Sequence, residues 1–173
     1  MEIFLVDSHK DLPQNITDPS VNTSSWDDIT VPGNWEVQGH GVAIYTNHGY
    51  EFKPRNPQPP LLPEANPVGV YRRDIEIPAS WDNRDIYLHI GGAKSGLYVY
   101  LNGKEVGYSE DSKNPAEFLI NKYLQPGKNV LTLKIFRWST GSYLECQDFW
   151  RMSGIERDVF LWSQPKASIQ DFR

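Results

Sequence analysis

The chain is 173 residues long, about one domain's worth, and at this length folding buries roughly two thirds of the unfolded surface without help from a metal or disulfide. Thirteen glycines and 13 prolines break helices, while 6 Trp, 9 Tyr and 7 Phe favour pleated surfaces, so the composition points to an all-β fold. A net charge of −5 with no basic run provides no field to gather a phosphate backbone, and no apolar run approaches the ~20 residues of a membrane span, which argues against nucleic acid and membrane as partners.

Residues 1–30 are polar and proline-punctuated (DLPQNITDPS, NTSSWDD) and show no sustained period, so they are expected to form an irregular lead-in packed on the domain. MEIFLV is apolar but lacks a basic leader and a small-residue cleavage site, and reads as no signal peptide. From Val31 to Pro67 a second loop-rich stretch holds VPGNW, GHG, HGY and the proline run KPRNPQPPLLPEANP. Its aromatics Trp35, Tyr45, Tyr50 and Phe52 favour an ordered loop packed against the rest.

From Val68 onward the pattern is β-like. VYRRDIEI alternates, IYLHI follows a Trp-Asp-Asn turn, and LYVYLNGKEVGY carries a two-residue hairpin at Asn102-Gly103, where both turn positions want positive φ. NVLTLKIFRW follows Pro126-Gly127, and VFLW follows SGIERD. Short antiparallel strands at this spacing predict a sandwich or jelly roll occupying residues 31–173 as a single domain, with no internal repeat. ASIQDFR begins another element and stops, as expected of a fragment of a longer chain.

Cys146 is the only cysteine, which excludes an intrachain disulfide and a Cys-rich zinc site. His9, His40, His48 and His89 show no metal-ligand spacing, and His89 reads as a strand-face residue. No nucleophile elbow, phosphate-cradling glycine motif or zincin motif is present. The densest chemistry lies in residues 137–159, where Arg137, Glu145, Asp148, Arg151, Glu156, Arg157 and Asp158 are interleaved with Trp138, Tyr143, Phe149 and Trp150. Aromatic rings with sparse directed polar groups suit pyranose faces and hydroxyls. The same residues also suit a loop tied down by buried arginine–carboxylate pairs. Glu145 and Asp148 could in principle supply a glycosidase acid and nucleophile, but three-residue spacing outside a helix fixes no such geometry, and ion pairing is the simpler expectation for both.

In chain order, VPGNW (31–35), IYTN (44–47), EANPVGVYRR (64–73), LNGKEVGYSEDS (101–112) and RWSTGSYLECQDFWRMSGIERDV (137–159) resemble the amino-terminal domain of family 2 glycoside hydrolases, specifically the long-chain bacterial β-galactosidase type. The resemblance implies a galactose-binding-domain-like jelly roll, followed in the parent by immunoglobulin-like domains and a (β/α)8 barrel that carries both catalytic glutamates. It therefore implies no catalytic residue in this chain, a β-galactoside as the parent's substrate, and contacts with the parent's other domains or with further copies in a homo-oligomer. It also implies that Asn47 of IYTN lines the galactose pocket. Asp148 of QDFW is implied to touch the galactose site and to give a sodium ion part of its ligand set, with magnesium bound elsewhere in the parent. Cys146 stands where a bacterial relative carries another aspartate. The compartment is expected to be bacterial cytoplasm or periplasm. Two further readings stay open: an autonomous carbohydrate-binding module using Trp138 and Trp150, and a purely structural module whose proline arm packs between domains or subunits. Within the family, β-glucuronidase and β-mannosidase share the domain.

Overall fold

The computed structural model describes every residue except Pro54, Gln170, Phe172 and Arg173. Its strands, in chain order, are β1 (Glu2–Val6), β2 (Asp27–Asp28), β3 (Gly33–Asn34), β4 (Ile44–Thr46), β5 (Val68–Glu76), β6 (Arg84–Ile90), β7 (Ala93–Lys94) and β8 (Gly96–Leu101). They continue with β9 (Lys104–Ser109), β10 (Ala116–Leu119), β11 (Lys128–Phe136), β12 (Phe149–Arg151), β13 (Gly154–Ile155) and β14 (Val159–Pro165), and one helical turn, α1 (Ser142–Glu145), lies between β11 and β12.

The architecture is the expected all-β sandwich. A large antiparallel sheet runs in the order β2-β1-β5-β11-β8-β9 and faces a smaller one ordered β10-β6-β14. Alternation explains the core: Leu131, Leu133 and Ile135 of β11 and Leu97, Val99 and Leu101 of β8 point inward onto Ile86, Leu88 and Ile90 of β6. The hairpin between β8 and β9 has the expected turn, with Asn102 at φ 53° and Gly103 at φ 77°. His89 lies on the face of β6, stacked on Phe160 at 4.4 Å and bonded to Glu117, as a strand-face residue should be.

The loop-rich segment after residue 31 is ordered because its aromatics are buried. Trp35, from VPGNW, is 1% exposed and lies against Gly69 of β5, where a side chain's Cβ would come within 2.6 Å of the indole. The proline run folds back on its own domain: Leu61 carbonyl accepts from the Tyr143 hydroxyl, and Asn66 exchanges hydrogen bonds with the Trp138 backbone.

The lead-in differs from the irregular segment expected. Glu2–Val6 is a full strand, paired along its whole length with β5 and flanked by β2. Five residues are too few to establish an alternation in sequence, and the ladder partner lies more than sixty residues away, so only tertiary pairing stabilises it. The rest of the segment does pack irregularly, covering the outer face of β1 and β5. Ile16 closes a second apolar cluster with Val68 and Val70, and the Arg72 guanidinium donates to the carbonyls of Ile16, Asp18 and Val21 at 2.9, 2.9 and 3.1 Å. Chain lacking its own ladder partners thus has its carbonyls satisfied by one buried cation. The expected element at ASIQDFR lies partly outside the described residues.

Candidate functional site

IYTN and QDFWR, about a hundred residues apart in sequence, form one two-stranded ribbon. β4 and β12 pair antiparallel with Thr46 opposite Phe149, Tyr45 opposite Trp150 and Ile44 opposite Arg151. Continuing that register by one step brings Asn47 opposite Asp148. Side chains alternate, so Tyr45, Asn47, Asp148 and Trp150 share one face, and all four are exposed. The structure therefore brings together the two residues expected to face a ligand.

Their hydrogen bonding leaves capacity outward. Asp148 Oδ1 accepts from the Tyr45 hydroxyl at 2.5 Å, while Oδ2 accepts no hydrogen bond from the described residues. That bond, ahead of burial and the carboxylate's charge, raises the Tyr45 phenol above its ordinary range, so Tyr45 stays a donor. Asn47 Oδ1 lies 2.6 Å from His48 Nδ1, which leaves the amide NH2 to donate elsewhere. The Tyr45 and Trp150 rings meet at 5.6 Å and 59°, each 54% exposed, an apolar surface beside the two polar groups.

The opposite face of the ribbon is its anchor. Arg151 is 2% exposed, with Nε 3.4 Å from Glu51 Oε2, and Glu51 Oε1 accepts from the Trp138 indole at 2.8 Å. Arg137, also buried, faces Glu36 at 3.7 Å and donates to the carbonyls of Val42 and Arg151. Lys94 and Arg151 each sit 4.5 Å from the Phe149 ring centre, with Lys113 at 5.6 Å. Burial, and then the Lys113 charge, pushes the Lys94 ammonium below its ordinary range. Buried arginine–carboxylate pairs thus hold up the ribbon whose other face is open.

Two expectations are corrected here. Neither Glu145 nor Asp148 is in an ion pair among the described residues. Glu145, at the end of α1, accepts from the backbone N–H and hydroxyl of Ser112 at 2.9 and 2.6 Å, and Asp148 accepts from a phenol. The nearby arginines are already committed to Glu36 and Glu51, which come from the loop-rich segment and could not be matched to them by spacing. Nor do Trp138 and Trp150 make a shared face: Trp150 packs on Tyr45, while Trp138 packs on Phe52 at 5.4 Å and lines a different cleft. Tyr45 and Glu51 are site components that no expectation from the sequence includes. Tyr45 could have been found from its position two residues before Asn47, on the same strand face; Glu51 had no such signal.

Comparison with known proteins agrees with this architecture. Residues 3–165 match the family described as glycosyl hydrolases family 2, sugar binding domain. The chain is 45% identical over 161 residues to a β-galactosidase of Priestia megaterium and 46% identical over 160 residues to one of Psychromonas ingrahamii. Each match takes in 92% of this chain but 16% and 15% of the relative, so the chain spans about a sixth of the length of the relatives it matches. Among solved structures, β-glucuronidase 2 of Bacteroides uniformis, covalently bound to cyclophellitol-6-carboxylate aziridine, superposes with a TM-score of 0.70. That match covers 95% of this chain and 17% of that one at 23% identity, and shows a shared fold.

Proposed function

The chain belongs to the sugar-binding domain of the family 2 glycosyl hydrolases, and from that premise we propose that it is the non-catalytic amino-terminal domain of a β-galactosidase. In this reading Asn47 and Asp148 form one wall of the galactose pocket, and the remaining walls and the catalytic carboxylates come from other parts of the parent. The observation that carries it is the β4–β12 register, which sets both residues side by side on an exposed face. Asn47 retains amide donors and Asp148 retains an acceptor oxygen, a pair suited to grading a sugar's hydroxyls by orientation. The engaged state of Glu145, held by Ser112, supports placing hydrolysis elsewhere.

Sodium fits this wall as a shared ion. Asp148 Oδ2 offers one hard anionic oxygen, and among the described residues no three His, Cys, Asp or Glu side chains group as metal ligands, so Asp148 would supply one ligand of a set completed by the parent. Bound there, sodium would place a positive charge against sugar oxygens. Magnesium is assigned to other parts of the parent.

The test is kinetic, in the parent enzyme, with a chromogenic β-galactoside. Asp148→Asn and Asn47→Ala should each lower kcat/KM by at least about tenfold, roughly 1.4 kcal/mol of transition-state binding, with Asp148→Asn also weakening the response to sodium. Wild-type kcat/KM in both variants would refute the wall assignment. A second reading is favoured by the Tyr45–Trp150 pair, whose exposed rings could hold a sugar by themselves. Saturable NMR shifts confined to residues 44–47 and 148–151 on adding galactose to the chain alone would establish it.

A further inference from the structure

The outer face of the large sheet is covered unevenly: the lead-in reaches beyond β1 and β5 to Gly103 of the β8–β9 turn, and outward-facing Thr132 of β11 is 1% exposed. The lead-in, clamped by Arg72, lies over β1 and β5. On β11, β8 and β9 the outward positions are Lys134 and Phe136, Tyr98 and Tyr100, and Tyr108, with Tyr98 opposite Lys134 on one side and Tyr108 on the other. Solvent-facing strand positions ordinarily carry polar side chains; here they form an aromatic strip. Tyr98 meets Tyr108 at 4.4 Å and Phe136 at 5.7 Å. Opposite Phe136 the strip has Gly96, where an added Cβ would already meet Ser139 Cβ and the Tyr108 hydroxyl at 3.3 Å.

Two clefts open along this strip. One, of about 400 Å³, lies over Gly96 between Tyr98, Tyr108, Phe136 and Trp138, with the proline arm at Leu62–Glu64 as its rim. The other, of about 410 Å³, lies between Lys134, Tyr100 and the lead-in. Phe136 and His9, whose rings lie 6.3 Å apart, line both, so the two clefts adjoin on either side of that pair and together form a groove, each within the size range of small-ligand sites.

The polar groups in the groove narrow the ligand. The Lys134 ammonium is half-buried, 5.1 to 5.6 Å from the ring centres of Tyr98, Tyr100 and Phe136, and has no carboxylate at ion-pair distance among the described residues. Held against these rings and still reached by solvent, it is a directed donor open to an acceptor. At the other end Glu110 is held by the Tyr108 and Thr140 hydroxyls and the Gly141 N–H, a carboxylate positioned to accept further. Lys10, the other cation of the region, is paired with Glu64. One free cation balanced by a carboxylate does not make a phosphate site. Ring faces, one donor and one acceptor suit a neutral polyhydroxyl chain, whose C–H faces lie on the rings and whose hydroxyls reach both ends.

We propose that this groove is a carbohydrate-binding site in its own right, taking a neutral oligosaccharide of more than one ring, and that it is independent of the Asn47–Asp148 wall. Two clefts side by side would accommodate successive sugar units, which distinguishes this groove from a pocket for a terminal galactose.

The test is titration of the 173-residue chain with β-1,4-galactotetraose and, in parallel, cellotetraose, followed by amide shifts. Saturable shifts at Gly96, Tyr98, Tyr108 and Phe136 are expected, with a dissociation constant at or below the millimolar range and monosaccharide binding weaker. Tyr98→Ala should weaken the affinity about tenfold or more, and Lys134→Met should weaken it without removing a ring. Leu119→Ser, on the smaller sheet, should leave it unchanged. The proposal fails if neither tetrasaccharide produces saturable shifts up to tens of millimolar, or if the shifts gather at Tyr45, Asn47, Asp148 and Trp150. Binding unaltered by Tyr98→Ala and Lys134→Met would overturn it equally.

Discussion

The Tyr45 hydroxyl donates to Asp148 Oδ1, so the strand that carries Asn47 is tied to the segment that carries Asp148 by a side-chain bond as well as by the ladder. Because the bond needs the protonated phenol, Tyr45 is held above the ordinary tyrosine value of about 10. Asp148→Asn removes the charge and should bring the Tyr45 titration back down, read from its ring carbon shift against pH. An unchanged titration in the variant would mean that the bond does not form in solution.

Arg151 and Glu51, buried behind the same ribbon, should matter more for stability than any exposed residue of the site. Arg151→Met leaves the Glu51 carboxylate buried without its cation, a change that typically costs about 3–5 kcal/mol. Adding Glu51→Gln should recover part of that loss, since the amide can still accept from the Trp138 indole. Urea unfolding of the two variants decides it, and a double variant as unstable as the single one would contradict the pairing.

Gly69→Ala tests the packing of VPGNW. A Cβ at Gly69 would sit 2.6 and 2.8 Å from two carbons of the fully buried Trp35 ring, and neither the indole nor the central strand β5 has room to move. Overpacking of this kind costs about 1–3 kcal/mol. The urea midpoint should fall while the slope stays constant. Substitution at Gly49, whose Cβ would meet nothing within 4 Å, makes a poor control only because its φ is 73°, so Leu119→Ser serves instead.

Alkali should destabilise the chain in a defined window. Tyr71, in the core, is pushed well above its ordinary range by burial and then by Glu36; burial and then Glu105 push Tyr100 up to about 12, and burial and then the Glu110 hydrogen bond raise Tyr108. All three hold their protons more tightly folded than unfolded. Their contribution is therefore complete below the unfolded value of about 10 and is lost as pH rises through the folded values. Urea midpoints should be flat up to about pH 9 and decline steadily above pH 10, and Tyr71→Phe should shallow that decline.

The strands from Val68 onward were legible because each carries its own signal. Period-two alternation in VYRRDIEI and NVLTLKIF marks inward and outward faces, and Asn102-Gly103 fits the hairpin because both positions have positive φ. Family motifs supplied Asn47 and Asp148, and the ladder register sets them on one face. The strand Glu2–Val6 was not legible, since its stability comes from pairing with β5. Arg151 and Glu145 were visible as charges, but their partners Glu51 and Ser112 come from loops with no periodicity to reveal them.

By itself, the sequence determined the all-β class, the main hairpin, the inward-facing residues of the long strands and membership of a sugar-binding lineage, because those properties reside in local alternation, turn chemistry and contiguous motifs. Only the tertiary structure decided which carboxylate meets which arginine, that β4 and β12 form one ribbon, and that an aromatic strip on the large sheet lines clefts beside the lead-in. Those are relations between segments far apart in the chain. They are fixed by ladder register and by the need to satisfy buried charges and carbonyls, which depend on the whole fold rather than on any one stretch of it.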